Sequence, residues 1–182
     1  MDFRRISKII AITLISIIAI LFLFFKLIER NFRLSLVPVA LKVSEIIYAK
    51  QEAWGFGPGG AECGVIVYKL PDKIASKVSE NGLEYFVKLP NSDKDLWGNF
   101  GTWRETPYLF EIEKGDGFSL YIDPRIEREI CSTASKRGAF FARSNFGVIV
   151  VSPETKRVYF FYTKESNINV PFPIERKRGV TH

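Results

Sequence analysis

Three glycines at the spacing of a phosphate-binding loop are the first residues whose pattern could carry chemistry. Gly55, Gly57 and Gly60 match G-x-G-x-x-G. A dinucleotide site needs a strand before such a loop and a helix N-terminus after it, so that backbone amides point at the pyrophosphate. Here a helix-like segment precedes the glycines, a strand follows, and Pro58 removes one amide donor. The pattern therefore predicts a flexible connector and no cofactor.

Cysteine and histidine offer little to a metal ion in this chain. Cys63 and Cys131 form no C-x-x-C pair, and the one histidine is His182 at the terminus. Zinc sites need more nitrogen and sulfur ligands than these residues supply, so no metal site is predicted. In an oxidising compartment the two cysteines could form a disulfide, and two buried, unpaired thiols are the alternative.

The absence of an internal histidine also bears on catalysis. It removes most nucleophile–histidine–acid mechanisms and histidine-based metal hydrolysis. Glu111 and Glu113 share one face of a predicted strand, where two acids are usually only solvated. We predict no catalytic residue, and the sequence favours a protein that is not an enzyme.

A polar stretch with embedded aromatic residues, 91–107, is the strongest candidate for a binding surface. Its predicted contact residues are Trp97, Phe100, Trp103 and Arg104, followed by Tyr108. Long segments without regular structure are often functional, and exposed Trp and Tyr serve as binding anchors. The alternative is that these rings fold back and cover the core beneath the loop.

The elements that must position these residues begin with a hydrophobic anchor. Ile9 to Phe25 carries no charge, and Leu27 and Ile28 extend the apolar run beyond Lys26. About 20 residues at helical rise cross the hydrocarbon core of a bilayer. No small-residue cleavage site follows, so residues 9–28 (Ile9 to Ile28) are predicted to be an uncleaved transmembrane helix in contact with lipid.

The charge distribution suggests an orientation and argues against nucleic acid. Residues 1–8 contain Arg4, Arg5 and Lys8, and a short basic tail of this kind usually stays in the cytoplasm. Of the net charge of +6, residues 1–52 contribute +4, so the excess flanks the hydrophobic segment. A nucleic-acid binder would instead carry a basic stripe on its folded domain. We expect a single-pass protein of a bacterial inner membrane with a periplasmic C-terminal domain.

Residues beyond the anchor divide into three further parts. Residues 34–52 form an amphipathic juxtamembrane segment, with Val39, Val43, Ile46 and Ile47 at roughly helical spacing. This segment could lie on the bilayer, pair with another chain or, as we favour, pack on the domain that follows. Residues 53–166 make a soluble α+β domain, and residues 167–182 an irregular tail.

Strand and helix patterns within the soluble domain predict its fold. A strand, a short helix and a second strand come first, then the polar stretch, a hairpin, a second helix and a final hairpin. Their predicted ranges are 65–70, 71–82, 83–89, 109–122, 123–138 and 146–162. This order predicts a small antiparallel or mixed sheet with two helices on one face.

These features together indicate a membrane-tethered, non-enzymatic envelope accessory or interaction protein with a protein partner. An immunity-type protein is an alternative, although its domain should carry a stronger charge patch. The layout also resembles that of pilins, but their Gly–aromatic junction and early glutamate are absent, and Lys26 and Pro38 interrupt the helix. An envelope enzyme acting on glycans would need carboxylates converging beside Trp97 and Trp103.

Overall fold

The computed structural model divides the chain into an N-terminal unit, Met1–Leu36, and a second unit, Val37–His182. Its described residues are 3–54, 61–88, 100–108, 121–144 and 147–164. The predicted glycine loop, Trp97, the hairpin at 109–122 with its two glutamates, and the tail at 167–182 lie mainly or wholly outside these ranges.

The N-terminal unit is one long helix, α1 (Phe3–Leu34). By length and composition, Ile9–Leu34 is able to span a membrane, and the side chains of its most apolar stretch are exposed. The helix continues past the predicted end at Ile28. Glu29 pairs there with Lys26 (2.9 Å) and with Arg33 (2.7 Å), at the spacings that bring side chains together on a helix.

The second unit is an α+β domain built on a six-stranded antiparallel sheet. The strand order across the sheet is β1-β2-β6-β5-β4-β3, so β1 and β3 form its edges. The strands are β1 (Ile46–Trp54), β2 (Ala61–Lys69), β3 (Arg104–Glu105), β4 (Phe140–Ser144), β5 (Gly147–Ser152) and β6 (Arg157–Lys164). The predicted fold class and the final hairpin, β5–β6, are confirmed.

Both faces of the sheet are covered, as the uninterrupted burial of β5 shows. On the first face, α4 (Pro124–Ser135) packs with Ile130 among Val67, Val150 and Tyr159. On the second face, Phe86 of α3 (Leu83–Val87) lies 5.3 Å from Phe140, ring centre to ring centre. Helices α4 and α3 therefore lie on opposite faces of the sheet.

Helix α4 crosses the first face from β1 towards β4. At its start, the Asp123 amide donates to the Tyr48 hydroxyl of β1 (3.1 Å), and the Asp123 carboxylate caps the helix by accepting from the Arg125 amide (2.8 Å). Near its end, the Ala134 carbonyl accepts from the Tyr108 amide (2.7 Å). The predicted Asp-Pro start of this helix is confirmed. An Asp cap and a Pro in the first turn both favour a helix N-terminus.

The roughly helical spacing of apolar residues within 34–52 does not correspond to one helix. A short 3₁₀ helix, Val39–Leu41, ends at Lys42 in a left-handed conformation (φ 51°), and β1 begins at Ile46. The apolar spacing was misleading because Leu41 belongs to the core of the domain whereas Ile46 opens a strand. From Val37 onward the segment is thus part of the second unit, and β1 forms one edge of its sheet.

The strand predicted at 83–89 is a helix in the structure. Helix α2 (Asp72–Asn81) ends at Gly82, whose positive φ of 56° suits glycine, and the chain then restarts as α3. A short, mainly apolar run does not distinguish strand from helix by periodicity. Burial of Phe86 against distant residues decides the outcome.

Candidate functional site

The described part of the predicted binding surface is the segment 100–108, which we call the aromatic strap. It contains the two-residue edge strand β3, which pairs with Phe140 and Phe141 of β4. Outside that pairing, the Gly101 amide donates to the Arg143 carbonyl (2.6 Å) and the Thr106 amide to the Ala139 carbonyl (2.9 Å). The strap is therefore fixed along the sheet edge by its backbone.

Two rings of the aromatic strap turn onto the second face of the sheet. Trp103 stacks on Phe86 of α3, with ring centres 4.1 Å apart and planes inclined by 20°. Phe100 meets Phe160 of β6 edge to face at 6.1 Å. Stacked and edge-to-face pairs are favourable aromatic arrangements. Both rings are half-buried, so they contribute to this layer of the core.

Tyr108 turns to the opposite face of the sheet. Its ring is 8% exposed and lies 4.5 Å from the ring of Phe141. The Arg143 guanidinium sits 5.2 Å from the Tyr108 ring centre and donates to its hydroxyl (3.1 Å). This contact combines a cation–π interaction with a hydrogen bond, so it fixes the tyrosine in place.

A buried threonine joins the strap to the end of α4. The Thr106 hydroxyl contacts the carbonyl oxygens of Lys136 and Ala139 and accepts from the Ala139 amide (3.2 Å). Next to it, the Glu105 carboxylate accepts from the Gly138 amide (3.2 Å). The Thr106 contacts satisfy the buried polar groups of Ala139, whereas the bond from Gly138 to Glu105 is exposed.

Of the predicted surface residues that the structure describes, most are packed against the core and are not fully exposed. Phe100, Trp103 and Tyr108 pack against the core, as the alternative interpretation of this segment expects. Arg104 is exposed at the sheet edge. Trp97 lies outside the described residues. Binding by this surface stays a prediction, with Arg104 as its solvent-facing member in the described segment.

A polar cluster that sequence reasoning missed lies between α4 and β6. The Tyr159 hydroxyl donates to Glu129 Oε1 (2.5 Å), and Arg157 pairs with Glu129 Oε2 (2.9 Å). Thr155 Oγ1 lies 3.2 Å from the same hydroxyl. Because the phenol gives its one proton to the carboxylate, Thr155 is the donor in that contact.

The electrostatics of this cluster indicate a structural role. Burial, together with the hydrogen bond to Glu129, raises the pKa of Tyr159 to about 12. A phenol with that pKa is protonated at neutral pH and cannot act as a base. The cluster therefore fastens α4 to the sheet. No local pattern reveals it, since Glu129 and Tyr159 are far apart in sequence.

The disulfide considered for Cys63 and Cys131 is not present in the structure. Cys63 lies within β2, opposite Glu52 and Thr163. Cys131 is on the solvent side of α4, next to the buried residue Ile130 in the helix. The helix buries Ile130 and Ala134, so Cys131 is rotated away from the sheet.

Within the described ranges, no three Asp, Glu, Cys or His side chains converge as a metal-binding set. Comparison with known proteins adds no assignment: no family model, no curated protein and no solved structure matches this chain.

Proposed function

We propose that this protein is a membrane-anchored interaction protein, whose α+β domain binds another protein and does not catalyse a reaction. The observation that carries the proposal is α1, in which Ile9–Leu34 is long and apolar enough to cross a bilayer and the side chains of the most apolar stretch are exposed. An exposed apolar helix surface of this kind is stable in lipid, whereas its exposure to water costs free energy.

The domain begins almost at once after this helix. Val37 and Leu41 are buried in the domain core, and α1 ends at Leu34. Only Ser35 and Leu36 stand between the end of α1 and the first residue of the second unit in the sequence.

The orientation proposed for this anchor is N-terminus in the cytoplasm and domain in the periplasm of a bacterial inner membrane. Arg4, Arg5 and Lys8 precede the apolar run in a very short tail, and short basic tails are retained in the cytoplasm. Long domains translocate largely regardless of their charge. A protein with this orientation works in the envelope.

The engagement of polar side chains supports binding rather than catalysis. The carboxylates of Asp123, Glu105 and Glu129 each accept a hydrogen bond that holds a helix end, a turn or a strand in place. The contacts described for the Trp103 ring are with other aromatic rings. By contrast, Arg104 faces solvent beside this rigid scaffold, where a partner could reach it.

Site-specific photo-crosslinking in intact cells tests this function. A photoreactive amino acid replaces Arg104 at the sheet edge or, as the matched control, exposed Lys77 on α2. We expect one or a few discrete protein adducts from position 104 and none of the same size from position 77. Equal or absent adducts at both positions would contradict the proposal.

A further inference from the structure

Strand β1 offers a long backbone edge. It runs from Ile46 to Trp54 and pairs with β2 on one side, and the strand order places it at the outside of the sheet. No described strand pairs with its other side. An open edge presents unpaired amides and carbonyls, which form a template for one more strand.

A bulge limits which part of this edge can pair regularly. The register with β2 shifts between Ile46 and Tyr48, so Ile47 has no partner in the ladder. A bulge bends its strand and interrupts pairing. The regular stretch is therefore Tyr48–Trp54, and its middle residue is Gln51.

We propose that β1 pairs antiparallel with β1 of a second copy of this chain, about a two-fold axis that passes between the two Gln51 residues. In this register the whole stretch after the bulge is paired. Lys50 of each copy then lies opposite Glu52 of the other, which gives two cross-strand pairs of opposite charge. The edge is self-complementary, as a symmetric interface requires.

Neighbouring registers lose one of these two features. Centring the pair on Lys50 places two lysines opposite each other, and like charges in that position are destabilising. Centring it on Ala49 brings the bulge at Ile47 into the paired stretch. Strand geometry and charge together therefore favour the register centred on Gln51 over these two.

The side chains at this edge are accessible enough to take part. Gln51 is exposed, and Lys50 and Glu52 are half-buried. Lys50 and Glu52 lie opposite Val65 and Cys63 of β2, on the face of the sheet that carries α4. Because side chains alternate along a strand, Gln51 lies on the other face. A two-fold axis perpendicular to the sheet keeps each face continuous, so the sheets of the two copies join into one. This self-association goes beyond the proposed binding at Arg104 and does not depend on it.

Disulfide crosslinking of the full-length protein in its membrane tests the register. In a Cys63→Ala, Cys131→Ala background, Gln51→Cys places two thiols across the axis, where directly opposed Cα atoms are about 4.5–5.5 Å apart. The matched control is Arg128→Cys, exposed on α4. Mild oxidation should give a covalent dimer with Gln51→Cys and only background dimer with Arg128→Cys.

Charge exchange then distinguishes this register from random collision. Adding Lys50→Glu or Glu52→Lys to Gln51→Cys should lower the dimer yield roughly fivefold, since each change converts both cross-strand pairs to like charges. The double exchange restores opposite pairs and should restore the yield. If the single changes lowered the yield by damaging the fold, the double exchange would not restore it.

Two outcomes would overturn the proposal. One is a dimer yield from Gln51→Cys no higher than that of Arg128→Cys. The other is a double exchange that crosslinks as poorly as the single changes. If the β1 amides resist hydrogen exchange without a dimer, another protein or residues 165–182 of the same chain cover the edge, and this too overturns it.

Discussion

At the scale of single residues, the phenol of Tyr159 shows how a polar group becomes part of a core. The side chain is fully buried, and its hydroxyl meets Glu129 and Thr155. A buried hydroxyl without partners would cost free energy, whereas this one has both a donor and an acceptor. It therefore holds α4 on β6.

The same phenol makes stability depend on alkaline pH. Its pKa is raised from 10.0 to about 12 in the folded protein, so its contribution is fully present below pH 10 and is lost as the pH rises towards 12. Tyr159→Phe should lower the free energy of unfolding at pH 8 by about 1–2 kcal/mol and flatten the decline between pH 10 and 12.

Denaturant unfolding at several pH values measures this dependence. Tyr121→Phe is the matched control, because Tyr121 is 74% exposed. The control should keep the stability and pH dependence of the unchanged protein. If both variants behave alike, the Tyr159–Glu129 contact does not stabilise the fold.

Close packing of strands gives a second prediction at this scale. A Cβ added to Gly147 would lie 1.8 Å from the Phe161 carbonyl oxygen, which belongs to the backbone of β6. Gly147→Ala should therefore reduce the free energy of unfolding by about 3 kcal/mol or more. At Gly101 an added Cβ would meet the Arg143 carbonyl oxygen at 3.4 Å, an ordinary contact distance.

Thermal unfolding of the two glycine variants compares these environments directly. Gly101→Ala should lower the free energy of unfolding by less than about 1 kcal/mol. A Gly147→Ala protein as stable as Gly101→Ala would show that β5 and β6 are farther apart than the structure has them.

At the scale of elements, the aromatic strap connects the two layers that cover the sheet. Trp103 packs on α3 at one face, and Tyr108 packs on Phe141 at the other. Between them, Thr106 is bonded to the turn that follows α4. Loss of this middle contact should release the strap and leave the rest of the sheet paired.

Thr106→Val keeps the shape of the side chain and removes its hydroxyl. The Ala139 amide then loses the acceptor that Thr106 provides, which should cost about 1–3 kcal/mol. Hydrogen exchange should speed up at the amides of Thr106 and Tyr108 more than at those of β5. Thr102→Val, at an exposed position of the same strap, should leave exchange unchanged. Equal exchange in both variants would contradict this role of the hydroxyl.

Elements with local signals could be predicted from sequence, and elements fixed by distant contacts could not. Asp123 and Pro124 define the start of α4 by their own chemistry, and the β5–β6 hairpin follows from two apolar runs around a turn. Helix α3 depends on Phe86 meeting Phe140 and Trp103, which are distant in sequence. Periodicity carries no information about such contacts.

The candidate site, like the fold, was predictable only where the signal is local in sequence. Sequence identified the aromatic residues of the strap, but the direction in which each ring points depends on partners elsewhere in the chain. Tyr108 is turned inward by Phe141 and Arg143, and Trp103 by Phe86. Arg104 is exposed on β3, the two-residue strand at the edge of the sheet.

At the scale of the whole molecule, we propose that α1 crosses a membrane and places the domain on the side opposite the N-terminus. The length and apolar surface of Ile9–Leu34 support the crossing. Arg4, Arg5 and Lys8 support the orientation. Binding at Arg104 in the envelope presupposes this arrangement.

Cysteine accessibility in intact cells tests that claim most directly. A membrane-impermeant maleimide is applied to a Cys63→Ala variant, which retains the exposed Cys131, and to an Asp2→Cys variant that lacks both natural cysteines. We expect Cys131 to be labelled in intact cells and the Asp2→Cys variant to be labelled only after lysis. Labelling of both from the same side would contradict a membrane-spanning α1, and the reverse pattern would contradict its orientation.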